Sequence, residues 1–470
     1  AWEAAHALTE GGGIDVQAWK RLTFAQFHDH IPGSSIERVY DTAIAELDAL
    51  AQRGRAAAAE ALEVHTKDAA SIDSTQPCVF NPLPLPLLHR TDAGIVELPP
   101  LAGVTLGEAS PCDEAVEASP TTLTSDRIAA TFNERGEIAS LTIDGHRLAT
   151  TGPLAQVWTF ADKPVTYDAW DIDRHTLSNG TLETATAEAS VETAPGSASV
   201  AFTRPLAAGC TATVRYTLDA GSPVVRLDLD IDWPAPQRLL KLAFPTDYQG
   251  VHARYGAPFG STLRPQHPGP LHHDAKFENP GSRWAAIADD TDRDGLMLAT
   301  RSSFGFGCVQ GLLHLSLLRS ARYTQPNVAG SQSSLESPDE GVQFWDLGRR
   351  HVSLALGRYH ADAPRHETPA ALADRLFAEP VAYPGAAVAS AMPTLEGGDS
   401  LVPAWVKPLE GGWLIRLHET LGRRGVCRFT APRGGQVVAC EPSGAPRGEA
   451  GDALDLAFRP YELTAVRVTP

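Results

Sequence analysis

The stretch SPVVRLDLDIDWP, residues 222–234, decides the fold class of this chain. Apolar and charged side chains alternate along it. The apolar set is Val225, Leu227, Leu229 and Ile231. The charged set is Arg226, Asp228, Asp230 and Asp232. A period of two places the two sets on opposite faces, which predicts a half-buried antiparallel strand.

Strand patterns of this kind continue on both sides, from about residue 76 to the end of the chain, as in RLLKLAFPTD (238–247) and LLHLSLL (312–318). A helix-favouring segment, TPAALADRLFAEPVAYPG (368–385), interrupts them. We therefore predict a large antiparallel β-sandwich region over residues 76–380 and a smaller C-terminal β-sandwich over residues 390–470.

Residues 1–66 have the pattern of helices instead. Apolar residues recur at steps of three and four: Ile36, Tyr40, Ala43, Leu47 and Leu50. This stripe predicts a packed helix, and the segment is too short for a complete bundle. The chain opens with AWEAAHALTEGGG, which is typical of a helix already under way. We therefore expect the numbering to begin inside a longer protein.

Composition excludes several classes of partner. The net charge of −18 argues against nucleic acid and against anionic membranes, since both need basic surfaces. No apolar run approaches the roughly 20 residues of a membrane span. The cysteines are widely spaced and form no C-x-x-C pair: Cys78, Cys112, Cys210, Cys308, Cys427 and Cys440. This spacing is typical of a reducing compartment, so we predict a cytoplasmic protein.

The stretch FHDHIPG, residues 27–33, is a candidate metal site. Adjacent side chains on a helix point about 100° apart, so residues 28–30 cannot all bind one ion from a regular helix. The Pro32-Gly33 break lets one imidazole turn to a metal while the carboxylate faces a substrate. An open catalytic zinc site needs about three protein ligands, and residues 272–274 (HHD) are candidates for the others. Taken alone, the pattern favours a simpler interpretation, polar residues that satisfy a helix end.

Two other stretches suggest sugar binding. YDAWDID (167–173) combines Trp170 with Asp168, Asp171 and Asp173, and aromatic faces stack on sugar rings while carboxylates bind hydroxyls. A strand edge with one buried tryptophan and solvated acids has the same pattern, so both interpretations stay open. Arg319, after the apolar LSLL, is either a ligand-binding group or a strand-end charge.

The stretch QFHDHIPGSSIERVYDTA (26–43) resembles the QFHD-I-x-PG-[TS]-S motif of glycoside hydrolase family 38, the retaining α-mannosidases. Other stretches resemble further signatures of that family in the same order. They are FNPLPLP (80–86), YDAWDID (167–173), LKLAFPTDY (240–248), YGAPFGSTLRP (255–265), AKFENPGSRWAAIAD (275–289), LSLLRS (315–320), LALGRYH (354–360), VKPLEGGWLIRLHE (406–419) and LAFRPYELTAVRV (456–468). The likeness covers nearly the whole chain, and it is strongest to the bacterial and cytosolic branch.

The resemblance implies roles for individual residues. His28 matches a ligand of one active-site divalent metal, usually zinc, whose other ligands lie outside this chain. Asp29 matches a residue that contacts substrate. We further predict that substrate is bound by Asp168, Trp170, Asp171 and Arg319. The implied fold is a partial helical bundle, then a supersandwich like that of galactose mutarotase, then the smaller sandwich.

The resemblance also implies what this chain does not contain. In the family the nucleophile, the acid/base and the other metal ligands lie on an N-terminal α/β barrel, to which no part of this sequence corresponds. We therefore predict no catalytic residue here. The expected function is that of the C-terminal portion of a retaining α-mannosidase, which removes terminal α-linked mannose from oligosaccharides and is inactive without its N-terminal catalytic domain.

Two alternatives remain at this level. One is a non-catalytic carbohydrate-binding β-sandwich protein. The other is a scaffold for oligomerisation, and the sequence leaves homo-oligomer formation open. Glycan affinity without hydrolysis distinguishes the first alternative from the mannosidase.

Overall fold

The structure is a computed structural model that describes residues 1–9, 15–67, 77–165, 167–271, 275–323 and 343–469. Three helices open the chain: α1 (Trp2–Leu8), α2 (Val16–Phe24) and α3 (Glu37–Lys67). Within the described residues two short helices follow, α4 (Arg174–Ser178) and α5 (Pro369–Arg375). Single 3₁₀ turns lie at Ala207–Gly209 and Arg365–Glu367. Within these ranges, no helix combines the length and apolar character needed to cross a membrane.

Three antiparallel sheets form the large β region. The first has nine strands in the order Glu188–Ala194, Ser197–Pro205, Thr211–Asp219, Val224–Trp233, Gly348–His360, Asp294–Thr300, Trp284–Ala288, His252–Ala257 and Gly260–Pro265. The second has six, in the order Thr181–Leu182, Gln156–Ala161, Arg238–Pro245, Leu312–Arg319, Gly305–Val309 and Asn279–Pro280. The third has five, Glu117–Ala118, Thr122–Thr124, Ile128–Phe132, Ile138–Ile143 and His146–Arg147.

Four smaller sheets flank this region. Two lie in the last part of the chain. The first consists of the strands Leu401–Leu409, Gly412–Glu419, Leu463–Thr469 and Gln436–Cys440. The second consists of the strands Thr394–Glu396, Gly425–Thr430 and Ala453–Phe458. The other two are Val381–Pro384, Pro77–Phe80 and Gly103–Thr105, and the hairpin Leu87–Thr91 with Gly94–Leu98. The predicted fold class, mainly antiparallel β after an N-terminal helical segment, is confirmed.

The strand Val224–Trp233 shows why this sequence folds as it does. It pairs with Thr211–Asp219 on one side and Gly348–His360 on the other. Its alternating apolar side chains lie in the main core, against buried residues of the six-stranded sheet such as Leu242 and Phe244. Each large aliphatic side chain buried in this way contributes roughly 1.5–3 kcal/mol. The apolar face that this alternation creates therefore lies in the core between two sheets.

The helices are anchored on the smaller C-terminal sheets. Ala5 of α1 and Leu62 near the end of α3 share a buried core with Trp413. The Glu3 carboxylate accepts hydrogen bonds from the indole N–H of Trp19, at 2.7 Å, and from that of Trp405, at 2.6 Å.

The length of α3 sets where its two ends lie. The helix has 31 residues. At 1.5 Å per residue it is about 46 Å long. The connection between α2 and α3 therefore lies far from the buried core around Leu62.

Candidate functional site

His28 lies in the connection between α2 and α3, which is a compact turn. The backbone N–H groups of His30 and Ile31 both donate to the carbonyl of Phe27, at 2.9 and 3.1 Å. Gly33 has φ of 78°, a left-handed conformation that costs glycine little. The chain therefore reverses direction here and presents its side chains at the tip of the helical segment.

The side chains of His28 and Asp29 face outward from this turn. That of His28 is 76% exposed and that of Asp29 is 39% exposed. His28 Nε2 and Asp29 Oδ2 are 3.6 Å apart. The His28 ring lies beside Phe27, with ring centroids 4.2 Å apart. Both side chains are thus free to bind a group that approaches from outside.

The fit of a metal to this pair is partial. An imidazole nitrogen and a carboxylate oxygen are both normal zinc ligands, but an open catalytic site takes about three protein ligands. Among the described residues, no three His, Cys, Asp or Glu side chains come together as a metal site. The candidate ligands at 272–274 lie outside the described residues. The pair fits one side of a site whose other ligands come from elsewhere.

Apolar side chains around the turn are largely exposed. Phe24 and Ile31 are both 62% exposed, and α2 has no buried residue. A groove of about 280 Å³ runs between α2 and α3. Its apolar lining includes Phe24, Val39, Ala43, Leu47 and Leu50. The surface around His28 therefore has the character of an interface.

The second part of the site is organised by Arg319, at the end of the strand Leu312–Arg319. Its Nε donates to Asp162 Oδ2 at 2.6 Å, and its Nη2 donates to the backbone carbonyl of Asp171. Its backbone N–H donates to Asp346 Oδ2 at 3.2 Å. The Asp162 carboxylate is fully buried. Arg319 thus joins the strand end to the segment that carries YDAWDID.

That segment, residues 167–173, is called the aromatic loop below. Trp170 is 63% exposed, and Tyr167 and Asp171 are also exposed. The backbone N–H groups of Trp170 and Asp171 both donate to the Tyr167 carbonyl, at 2.7 and 2.9 Å, which closes the loop into a turn. The Asp173 carboxylate accepts from the N–H of Val165 at 2.9 Å. The loop presents two aromatic rings and a carboxylate to solvent.

Asp168 lies beneath this loop. It is buried, and its Oδ2 accepts from Gln237 Nε2 at 3.4 Å. Burial raises the pKa of Asp168, while the Gln237 hydrogen bond and the Arg319 charge oppose that rise. Burial also raises the pKa of Asp346. The strand-edge interpretation expects a buried tryptophan and solvated acids. Here Trp170 is exposed and Asp168 is buried, so the segment does not have that arrangement.

The structure thus brings the predicted residues together in two groups. His28 and Asp29 form one group, and Asp168, Trp170, Asp171 and Arg319 form the other. Contacts between aromatic rings connect them: Tyr40 of α3 packs edge-on against Trp345, with centroids 4.3 Å apart, and Trp345 stacks on Tyr323 at 4.1 Å.

Sequence reasoning missed the residues that support these groups: Asp162, Gln237, Asp346 and Tyr40. Asp162 and Arg319 are separated by 157 residues, so no local pattern pairs them. The one available signal for Asp162 is its place directly after the strand Gln156–Ala161, where an acid needs a partner if the strand end is buried.

In comparison with known proteins, two regions of the chain match family models. Residues 123–327 match the model of the "Glycosyl hydrolases family 38 C-terminal domain". Residues 16–64 match the model of the "Alpha mannosidase middle domain". The first region contains the aromatic loop and Arg319, and the second contains the His28–Asp29 turn.

Two curated relatives are α-mannosidases. Alpha-mannosidase 2C1 of Homo sapiens is 26% identical over 326 residues, which is 65% of this chain and 31% of that protein. Alpha-mannosidase 2C1 of Mus musculus is 26% identical over 360 residues, 72% of this chain and 33% of that protein. The chain therefore spans about a third of the length of these relatives.

Two solved structures share the fold. The crystal structure of an α-mannosidase from Enterococcus faecalis V583 has a TM-score of 0.78 at 13% identity, over 99% of this chain and 65% of the other. A family 38 glycosyl hydrolase from Enterococcus faecalis has a TM-score of 0.73 at 13% identity, over 99% and 67%. At this identity the likeness concerns the fold alone.

Proposed function

Because the chain belongs to glycosyl hydrolase family 38, whose middle and C-terminal domains it contains, we propose that it is the C-terminal portion of a retaining, metal-dependent α-mannosidase. The substrate is a terminal α-linked mannose of an oligosaccharide. The observation that carries this proposal is the exposed His28–Asp29 pair at the tip of the matched middle domain.

In this proposal His28 holds one divalent metal, zinc in our assignment, through an imidazole nitrogen. A metal held there would supply Lewis-acid chemistry, which would orient the mannosyl ring and favour the developing charge of an oxocarbenium-like transition state. Asp29 accepts hydrogen bonds from sugar hydroxyls beside it. At 39% exposure its carboxylate is accessible for this without a change of conformation.

The aromatic loop supplies a second wall in the same proposal. The exposed ring of Trp170 stacks on the apolar face of a sugar, and the Asp171 carboxylate accepts from its hydroxyls. Arg319 and the buried Asp168 hold the aromatic loop in place from beneath it. Retaining hydrolysis also needs two carboxyl groups roughly 5–5.5 Å apart. We assign neither of them to this chain.

The partner in this proposal is the family's N-terminal catalytic domain. It supplies the nucleophile, the acid/base and the remaining metal ligands, and it covers the apolar surface around Phe24 and Ile31. Large exposed apolar surfaces on soluble domains commonly mark interfaces. We place the enzyme in the cytoplasm, because the cysteines within the described ranges are all free thiols.

The test compares the complete enzyme with this 470-residue chain, using an aryl α-mannoside and added zinc. The chain alone should give no turnover, and the complete enzyme should. In the complete enzyme, His28→Ala should lower zinc affinity and activity at least tenfold and leave the melting temperature nearly unchanged. His65→Ala, at an exposed histidine of α3, is the control and should change neither zinc affinity nor activity.

Two results would contradict the proposal. One is turnover by the 470-residue chain that disappears on mutation of one of its own carboxylates. The other is unchanged zinc affinity in His28→Ala. Glycan binding without hydrolysis by the complete protein would favour a non-catalytic carbohydrate-binding protein instead.

A further inference from the structure

The hydroxyl of Tyr40 holds the turn that carries His28 and Asp29. It donates to the backbone carbonyl of Asp29 at 2.8 Å and accepts from the backbone N–H of Ser35 at 3.0 Å. A phenol can donate and accept at once, so both bonds form together. The two bonded residues lie on either side of the Pro32-Gly33 reversal. The hydroxyl therefore ties the turn to the first residues of α3.

The ring of Tyr40 makes a different connection. It packs edge-on against Trp345, at 4.3 Å and an interplanar angle of 81°, and Trp345 stacks on Tyr323 at 28°. Trp345 and Tyr323 lie on a short pair of extended segments, in which the Trp345 N–H donates to the Ala321 carbonyl at 2.8 Å. The segment that contains Ala321 and Tyr323 directly follows Arg319, which holds the aromatic loop. Edge-to-face and stacked aromatic contacts have defined geometry, so this connection is directional.

We propose that Tyr40 is a positioning residue that sets the His28–Asp29 pair in register with the aromatic loop. Its hydroxyl fixes the turn, and its ring fixes α3 against the β-sandwich. The inference rests on the proposed function, in which both groups bind one sugar. The Tyr40 hydroxyl binds this pair at the backbone carbonyl of Asp29, so Tyr40 acts through the backbone.

The competing explanation is that Tyr40 is an ordinary member of the apolar stripe of α3. In that case the ring matters and the hydroxyl does not. Tyr40→Phe separates the two explanations, because it keeps the ring contact with Trp345 and removes both hydrogen bonds.

The first measurement is amide hydrogen exchange of the 470-residue chain. In Tyr40→Phe, the amides of residues 28–31 and of Gly33 should exchange about fivefold faster or more, as expected for loss of hydrogen bonds that hold a turn. The control is Tyr383→Phe, whose hydroxyl likewise donates to a backbone carbonyl, that of Ala386, at 2.8 Å. This control should leave exchange of the same amides unchanged.

The second measurement is zinc affinity of the complete enzyme, with zinc alone as the probe. Tyr40→Phe should raise the zinc dissociation constant about tenfold, and excess zinc should restore activity. If amide exchange and zinc affinity in Tyr40→Phe both match the wild type while His28→Ala loses zinc, the inference about Tyr40 fails. The proposed function then stands. If His28→Ala also keeps its zinc, both fail together.

Discussion

Arg319 joins three separate segments at the end of its strand. Its guanidinium binds the buried carboxylate of Asp162 and the backbone carbonyl of Asp171, and its own N–H binds Asp346. The residue was predicted to bind substrate. In this conformation its donors are largely occupied by protein groups, so a supporting role is the more direct interpretation of the geometry.

Removal of Arg319 tests that interpretation. Arg319→Ala leaves the Asp162 carboxylate buried without its cation, so the free energy of unfolding should fall by about 3 kcal/mol. The Asp162→Asn/Arg319→Leu double variant should recover part of this loss. Urea denaturation at pH 7 measures both.

The control for this prediction is Arg428→Ala, which breaks an exposed ion pair with Asp455 at 3.0 Å. Exposed pairs contribute about 0–1 kcal/mol, so the denaturation midpoint should barely move. Equal decreases in the free energy of unfolding in Arg319→Ala and Arg428→Ala would show that the Asp162–Arg319 ion pair stabilises the fold no more than an exposed pair does.

At the scale of the element, the strand Leu312–Arg319 carries a second titratable group, His314. Burial, together with the nearby Lys241 cation, lowers the pKa of His314 to about 3. The imidazole is therefore neutral in the folded protein at pH 7. The unfolded chain binds the proton near the ordinary value of about 6.5.

This difference predicts acid sensitivity of the six-stranded sheet. Because the folded-state pKa is the lower one, protonation favours the unfolded chain, and stability should fall as pH drops from about 6.5 towards 3. The slope is at most about 1.4 kcal/mol per pH unit for one proton. Urea denaturation at pH 7 and pH 5 should show a smaller loss in His314→Gln than in the wild type.

His65→Gln serves as the control, because His65 is an exposed residue of α3. It should lose as much stability between pH 7 and pH 5 as the wild type does. Identical pH dependence in His314→Gln and the wild type would mean that His314 is not held neutral by the fold.

The elements also show what local patterns can predict. The alternation in residues 222–234 predicts the strand Val224–Trp233, since a period of two fixes which side chains face the core. The stripe of α3 likewise predicts a helix at the right place. It does not predict what the helix contacts: Leu62 is buried against the C-terminal sheets, whereas Tyr40 and Leu47 in the first half stay partly exposed.

The arrangement of the candidate site residues was predictable only where these residues are neighbours in sequence. His28 with Asp29, and Trp170 with Asp171, are neighbours in sequence and in space. The contacts that support these residues join distant segments, as Arg319 with Asp162 does. The anchor of the helices, Glu3 with Trp405, is also formed between distant segments. Such pairs depend on how the sheets and helices pack, and a single sequence contains no period or motif that reports packing partners. Asp168 illustrates the same limit, because its burial follows from the fold of the loop above it.

At the scale of the whole molecule, the two ends of α3 differ in their surroundings. One end shares a core with the C-terminal sheets, and the other carries the apolar surface around His28. In the proposed enzyme this surface is an interface with the catalytic domain. A charge placed there should therefore have different effects in the isolated chain and in the complete enzyme.

The variant Ile31→Asp tests whether a charge in this surface acts differently in the two contexts. The variant Val64→Asp is its matched control. Ile31 is 62% exposed and Val64 is 61% exposed, but Val64 lies near the opposite end of α3. In the 470-residue chain both variants should stay within about 0.5 kcal/mol of the wild type, as exposed substitutions usually do. In the complete enzyme, Ile31→Asp should lower the melting temperature by several degrees and reduce mannosidase activity, because it buries a carboxylate in an apolar interface. Val64→Asp should do neither. If the two variants behave alike in the complete enzyme, the catalytic domain does not cover the surface around His28, and the placement of the metal ligand at that interface is wrong.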